Sequence, residues 1–196
     1  MQCFWRLAGL ALAALLLGAG LLWSGLYNIA ADDEHWPPVH ALLTVLRERS
    51  IAVRAEKLEV PADLAAAERR RLGAGNYHAM CAGCHLQPGQ ASSELARGLY
   101  PSPPALTQPR ASSAARDYWI IRHGIKASGM PAWGRSMEDA HLWNLTAFVQ
   151  ELPSLSAEEY RQRVAASDGH AHGGGEDAHA PHGGVHVHGD GSHHLH

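Results

Sequence analysis

Cysteine is scarce in this chain: 3 in 196 residues, at Cys3, Cys81 and Cys84. That is too few for a disulfide framework to hold a fold together. An excess of positive charge is missing as well. Sixteen Lys and Arg face 19 Asp and Glu, a formal net charge of −3. A strongly basic nucleic-acid binder is thereby excluded, and no nucleic acid is expected as a partner. The length leaves room for one modest domain with attachments, not for two full-sized catalytic domains. Histidine, by contrast, is abundant. There are 15, and 9 of them fall in the last 28 residues.

Residues 7–27 lack any charge, and Ser24 is their one small polar residue. As a helix this run reaches about 30 Å, the thickness of a bilayer core. It is long for the apolar part of a signal peptide, and Ile29-Ala30-Ala31 fits a cleavage site poorly, so an uncleaved anchor is expected over 1–31. Arg6 stands before the run, and Asp32, Asp33 and Glu34 follow it. This asymmetry keeps the N-terminus cytoplasmic and puts the remainder on the other face. Trp23 and Tyr27 fall where interfacial aromatics belong. Cys3, on the cytoplasmic side, cannot pair with the other two cysteines.

At the other end, residues 169–196 contain no Lys or Arg and, except for Leu195, no Leu or aromatic residue. Such a segment buries too little apolar surface to offset its chain entropy, so disorder is expected. His170, His172, His186, His188, His193, His194 and His196 are candidate ligands for copper, zinc or nickel, since neutral imidazole suits all three. A solvated low-complexity tail is the competing reading. Between anchor and domain, Pro37-Pro38 opens a helical pattern with Val39, Leu42, Leu43 and Leu46 on one face. This spacer, 32–67, is expected to pack on the domain or lie along a membrane. After Pro61 a second helical pattern runs into the cysteine pair, and 154–168 reads as a short linker.

Cys81-Ala82-Gly83-Cys84-His85 is the pattern for covalent attachment of one haem c. Thiols three positions apart on a helical turn can add to the two vinyl groups of one porphyrin. The adjacent imidazole then lies under the iron. A zinc site would want further ligands at regular spacing, and no second Cys-x-x-Cys exists. A thioredoxin-type dithiol should follow a strand, whereas the preceding residues read as helix. A disulfide between the pair leaves His85 unexplained. The second axial ligand is expected to be Met130, in Gly129-Met130-Pro131-Ala132-Trp133-Gly134, where Gly and Pro stiffen the loop. His78 and Met80 are too close to the attachment turn, Met137 reads as core, and His123 reads as a surface residue at a helix end.

Residues 68–153 resemble a single-haem class I cytochrome c domain. Gly73, Tyr77, Cys81, Ala82, Cys84 and His85 match that family's attachment pattern. Pro104-Ala105-Leu106, the Met130–Trp133 loop and the closing LWNLTAFVQELP match the rest. More broadly, residues 1–153 are similar to membrane-anchored single-haem cytochromes of proteobacteria. The resemblance implies an all-α fold around the haem, with Pro104 offering its backbone oxygen to the His85 ring and Trp133 beside the cofactor. It also implies that Gly73 and Tyr77 cross the last helix near Trp143 and Phe148.

The expected function is an electron carrier, not an enzyme, in the bacterial inner membrane with its haem domain in the periplasm. A dehydrogenase, oxidase or quinol-oxidising complex would be its donor or acceptor. With both axial positions filled, no coordination site is left for a substrate. Residues 68–152 carry 9 Lys and Arg against 6 Asp and Glu, too mild a balance to assign partner polarity. Two other readings stay open: a haem protein coupled to metal handling by the tail, and an enzyme or gas sensor with a displaceable Met130.

Overall fold

The computed structural model describes residues 1–170 and the backbone of 186–187 and 193–194. Residues 1–170 are all-helical. The one extended pairing among the described residues is a two-residue antiparallel ladder, His186–Val187 with His193–His194, in which His186 lies opposite His194. The rest of the tail, including His172, His188 and His196, lies outside the described residues, as does the test of its expected disorder. His170 is described and exposed.

Helix α1, Gln2–Ser24, buries none of its residues, and its 18-residue apolar stretch has a mean hydropathy of 2.0. Its 23 residues reach about 35 Å. Gly25 ends it in the left-handed conformation, φ 66°. Helix α2, Pro37–Ala55, begins with both prolines in its first turn, where a missing N–H costs nothing. It docks through buried Ile51 and Ala55, and Glu48 receives Arg116 from the helix it packs against.

The domain proper is built on the crossing of α3, Ala67–Met80, with α7, Asp139–Glu151. Gly73 makes the crossing possible. A Cβ there would fall 2.1 Å from the Asn144 carbonyl oxygen and 2.9 Å from the Phe148 Cβ. Tyr77 and Phe148, both fully buried, meet at 5.5 Å between ring centres. Trp143 adjoins the crossing point at Asn144. It stacks on Tyr118 of α6, Ala114–His123, at 3.8 Å and 9°. One residue along α7 is about 100° around the helix, so Asn144 faces α3 while Trp143 turns to α6. Leu142, Leu145 and Leu152 complete the core from α7 and the turn after it.

The segment expected as a short linker, 154–168, instead carries helix α8, Ala157–Ala165. Ser156 and Glu159 form a reciprocal capping box at its start. Tyr160 then buries its ring among Tyr77, Phe148 and His78, and its hydroxyl lies 3.0 Å from His78 Nδ1. Asp168 closes the extension with a two-pronged pair to Arg71, and the Gly169 carbonyl rests where a Gly75 Cβ would be. An aromatic worth about 2 kcal/mol of burial explains why these residues pack back onto α3.

Candidate haem-binding site

The attachment turn grows out of α3 with little interruption. Cys81 closes α3 through a bond from its N–H to the Tyr77 carbonyl, 2.9 Å, and caps α4, Ala82–His85. All three cysteines are free thiols, with Cys81 buried and Cys84 half-buried. Burial, with Cys84 adding to it, pushes the Cys81 thiol up to about 12. A thiol held neutral is a poor thiolate for redox exchange or zinc. Among the described residues no three His, Cys, Asp or Glu side chains gather as a metal-holding group.

His85 ends the short helix and is held from two directions. Its Nδ1 lies 2.8 Å from the Pro104 carbonyl oxygen, and its own carbonyl accepts from Leu106 N–H at 3.1 Å. The Nδ1–H donor leaves Nε2 as the lone-pair nitrogen, in the orientation that a backbone acceptor imposes on a metal-binding histidine. Burial lowers the His85 pKa; the Pro104 bond opposes this and Arg110 reinforces it. The ring therefore favours its neutral, ligating form.

Leu86, next along, has φ 67° and ψ 166°, a region that belongs to glycine. It is buried, and its carbonyl accepts the Tyr77 hydroxyl at 2.6 Å. Its N–H reaches Ala82 O at 3.0 Å. These bonds hold the strained backbone in place.

Met130 occupies the loop after α6. Gly124 turns into it with φ 63° and ψ −170°, and a Cβ there would lie 2.6 Å from the Met130 carbonyl. Ile125 N–H donates to that carbonyl at 3.2 Å, and Met130 N–H donates to Ser128 Oγ at 3.2 Å. The side chain is half-buried against the same core cluster that contains Cys81 and that Trp133 and Leu106 also touch. Trp133 opens a 3-10 turn, and its carbonyl accepts from buried Met137, which lies two residues before α7.

Sequence reading missed several supports. Asp117, 7% exposed, accepts both Arg110 Nη groups at 2.9 and 2.7 Å, Ser112 Oγ at 2.5 Å and Gln150 Nε2 at 2.5 Å. This network ties α6, the loop after Pro104 and the end of α7 into one unit. Nothing local signals it, because Gln150 is 33 residues from Asp117. Tyr100 was missed too; its hydroxyl accepts from the His35 N–H at 3.1 Å, joining the spacer to the loop that carries Pro104. His35 is thus half-buried, not an ordinary surface residue. His123 lies exposed at the end of α6 against Trp119, as the sequence suggested.

Two free thiols on one turn, an oriented imidazole and a thioether on a constrained loop suit haem c. Residues 68–149 match the family model described as cytochrome C oxidase, cbb3-type, subunit III. The match supports a c-type cytochrome domain in this part of the chain and, with it, a haem-based electron-transfer role. No curated protein and no solved structure matches the chain.

Proposed function

We propose that the chain is a single-haem cytochrome c anchored in the bacterial inner membrane by α1, with residues 68–153 and α8 in the periplasm. Cys81 and Cys84 would bind one haem through thioethers, and His85 and Met130 would be its axial ligands. Such a haem supplies a reversible one-electron change at iron. The protein's part is to hold the groups around it. Pro104 orients the His85 ring, the Gly124–Met130 loop presents the thioether, and the Asp117 network keeps α6 and α7 from shifting between oxidation states. With both ligands in place the domain carries electrons and offers no site for bond-making chemistry. A weak thioether donor favours the ferrous state over what a second imidazole would, so a positive potential follows. The family description names an oxidase subunit, which supports an oxidase as one partner class.

The observation that carries this reading is the 2.8 Å approach of His85 Nδ1 to the Pro104 carbonyl beside the two free thiols. The test is the haem-loaded full chain against Met130→Ala. Wild type should keep one haem through denaturing electrophoresis and bind carbon monoxide slowly or not at all. The variant should bind it readily and show a lowered potential. Rapid carbon monoxide binding by wild type would replace the carrier reading with a sensor or enzyme.

A further inference from the structure

Helix α2 is apolar on two opposite sides. Ile51 and Ala55 face the domain and are buried, and Glu48 on that side pairs with Arg116. At about 3.6 residues per turn, Leu42, Val45, Leu46 and Val53 share the reverse face. They are 60, 58, 57 and 44% exposed, with Leu43 at its margin. Docking on the domain therefore leaves an apolar stripe, without a partner among the described residues, pointing away from it.

The connection to α1 says what covers that stripe. Only residues 25–36 separate the two helices, and they are folded back on themselves. The Tyr27 hydroxyl lies 2.7 Å from His35 Nδ1, and the Tyr27 and Trp36 rings meet edge-on at 5.0 Å. The start of α2 is thereby held close to the end of α1. Trp23 and Trp36 are 94 and 48% exposed around this junction, where interfacial aromatics anchor a chain. Arg49 is exposed on the apolar stripe itself, between Leu46 and Val53. Its long stem can lie along lipid while its guanidinium reaches phosphate.

We propose that α2 lies on the membrane surface, with Leu42, Val45, Leu46 and Val53 in the interfacial layer and the haem domain riding on its other side. The inference rests on α1 being the membrane span. It gives the domain two points of attachment, which fix its orientation to partners in the same membrane instead of leaving it on a swivel.

The test uses the full haem-loaded chain with Cys3→Ser, in nanodiscs of phosphatidylethanolamine and phosphatidylglycerol, with the haem reduced. Single spin labels are placed at Leu16→Cys, Leu46→Cys and Gln162→Cys, and collision with oxygen is compared with collision with a water-soluble nickel chelate. The expected result is an oxygen-to-chelate ratio severalfold higher at 46 than at 162 and nearer that at 16. A ratio at 46 equal to that at 162, with 16 lipid-like, would overturn the surface contact while leaving the anchor intact. A label at 46 shielded from both reagents would overturn it in favour of a protein partner or a second copy. A water-like reading at 16 would overturn the anchor, and the present inference with it.

Discussion

Leu86 and Gly124 adopt nearly the same backbone geometry, φ 67° and ψ 166° against φ 63° and ψ −170°. One follows His85 and the other opens the loop that carries Met130. The Met130 side meets this geometry with the one residue that adopts it freely. On the His85 side it falls to a buried leucine, held by Tyr77, Ala82 and the neighbouring Leu106 bond. The contrast extends to the candidate ligands. His85 is oriented at its own ring by the Pro104 carbonyl, whereas the hydrogen bonds at Met130 are made by its main chain. The histidine side is therefore over-determined and strained, and the methionine side is relaxed and dependent on loop shape.

The sharpest way to break this comparison is Gly124→Ala. It combines a glycine-only conformation, about 1–3 kcal/mol, with a Cβ pressed on the Met130 carbonyl, about 1–3 kcal/mol more. A loss of about 3 kcal/mol or more in urea unfolding is expected, together with loss of the ferric methionine–iron absorption band and retention of covalent haem. Unchanged unfolding and spectrum would show that the loop does not need its glycine.

The histidine side is read by a pair of substitutions. Leu86→Ala and Leu86→Gly both remove the buried side chain, at about 2–5 kcal/mol. Only the glycine variant also releases the strain, so it should be the more stable by about 1–2 kcal/mol. That reverses the usual order of these residues in a chain. Equal or lower stability for Leu86→Gly would remove strain from the account.

Tyr77→Phe acts on the same point more mildly. It leaves the buried Leu86 carbonyl without its 2.6 Å donor, and a cost of about 1–2 kcal/mol is expected from thermal unfolding. The Met130 loop should not respond.

The smallest effect lies away from both loops. Burial would raise the Glu48 carboxyl, but the bonds and charges of Arg47 and Arg116 outweigh it and hold it below the usual range. A depressed folded-state pKa stabilises above the unfolded value, about 4.5, and the contribution disappears as pH falls through the lowered one. With Glu48 43% exposed, the effect is below about 0.5 kcal/mol. Glu48→Gln and wild type should differ slightly at neutral pH and converge in acid.

Much of the candidate site was legible because it is local. The thiol spacing, the adjacent histidine and the Gly-Met-Pro loop are properties of a single turn each. Helix α8 was legible too, in Ser156 and Glu159 three residues apart, but the linker reading passed over it. The stacking of Trp143 on Tyr118 was not legible, because its face depends on the rotation of α7 against α3, which the Gly73 contact sets.

By itself the sequence determined the apolar length of α1, the helical pattern of α2 and the Cys81–His85 turn, since covalent spacing and helical period fix these locally. Only the tertiary structure decided that Leu86 bears the strained geometry, that Asn144 meets Gly73 at the helix crossing, and that α2 keeps an apolar side that no described residue covers. The first two of these run through the backbone oxygens of Leu86 and Asn144. Every residue carries such an oxygen, so no letter in the sequence marks the ones that loop closure brings into use.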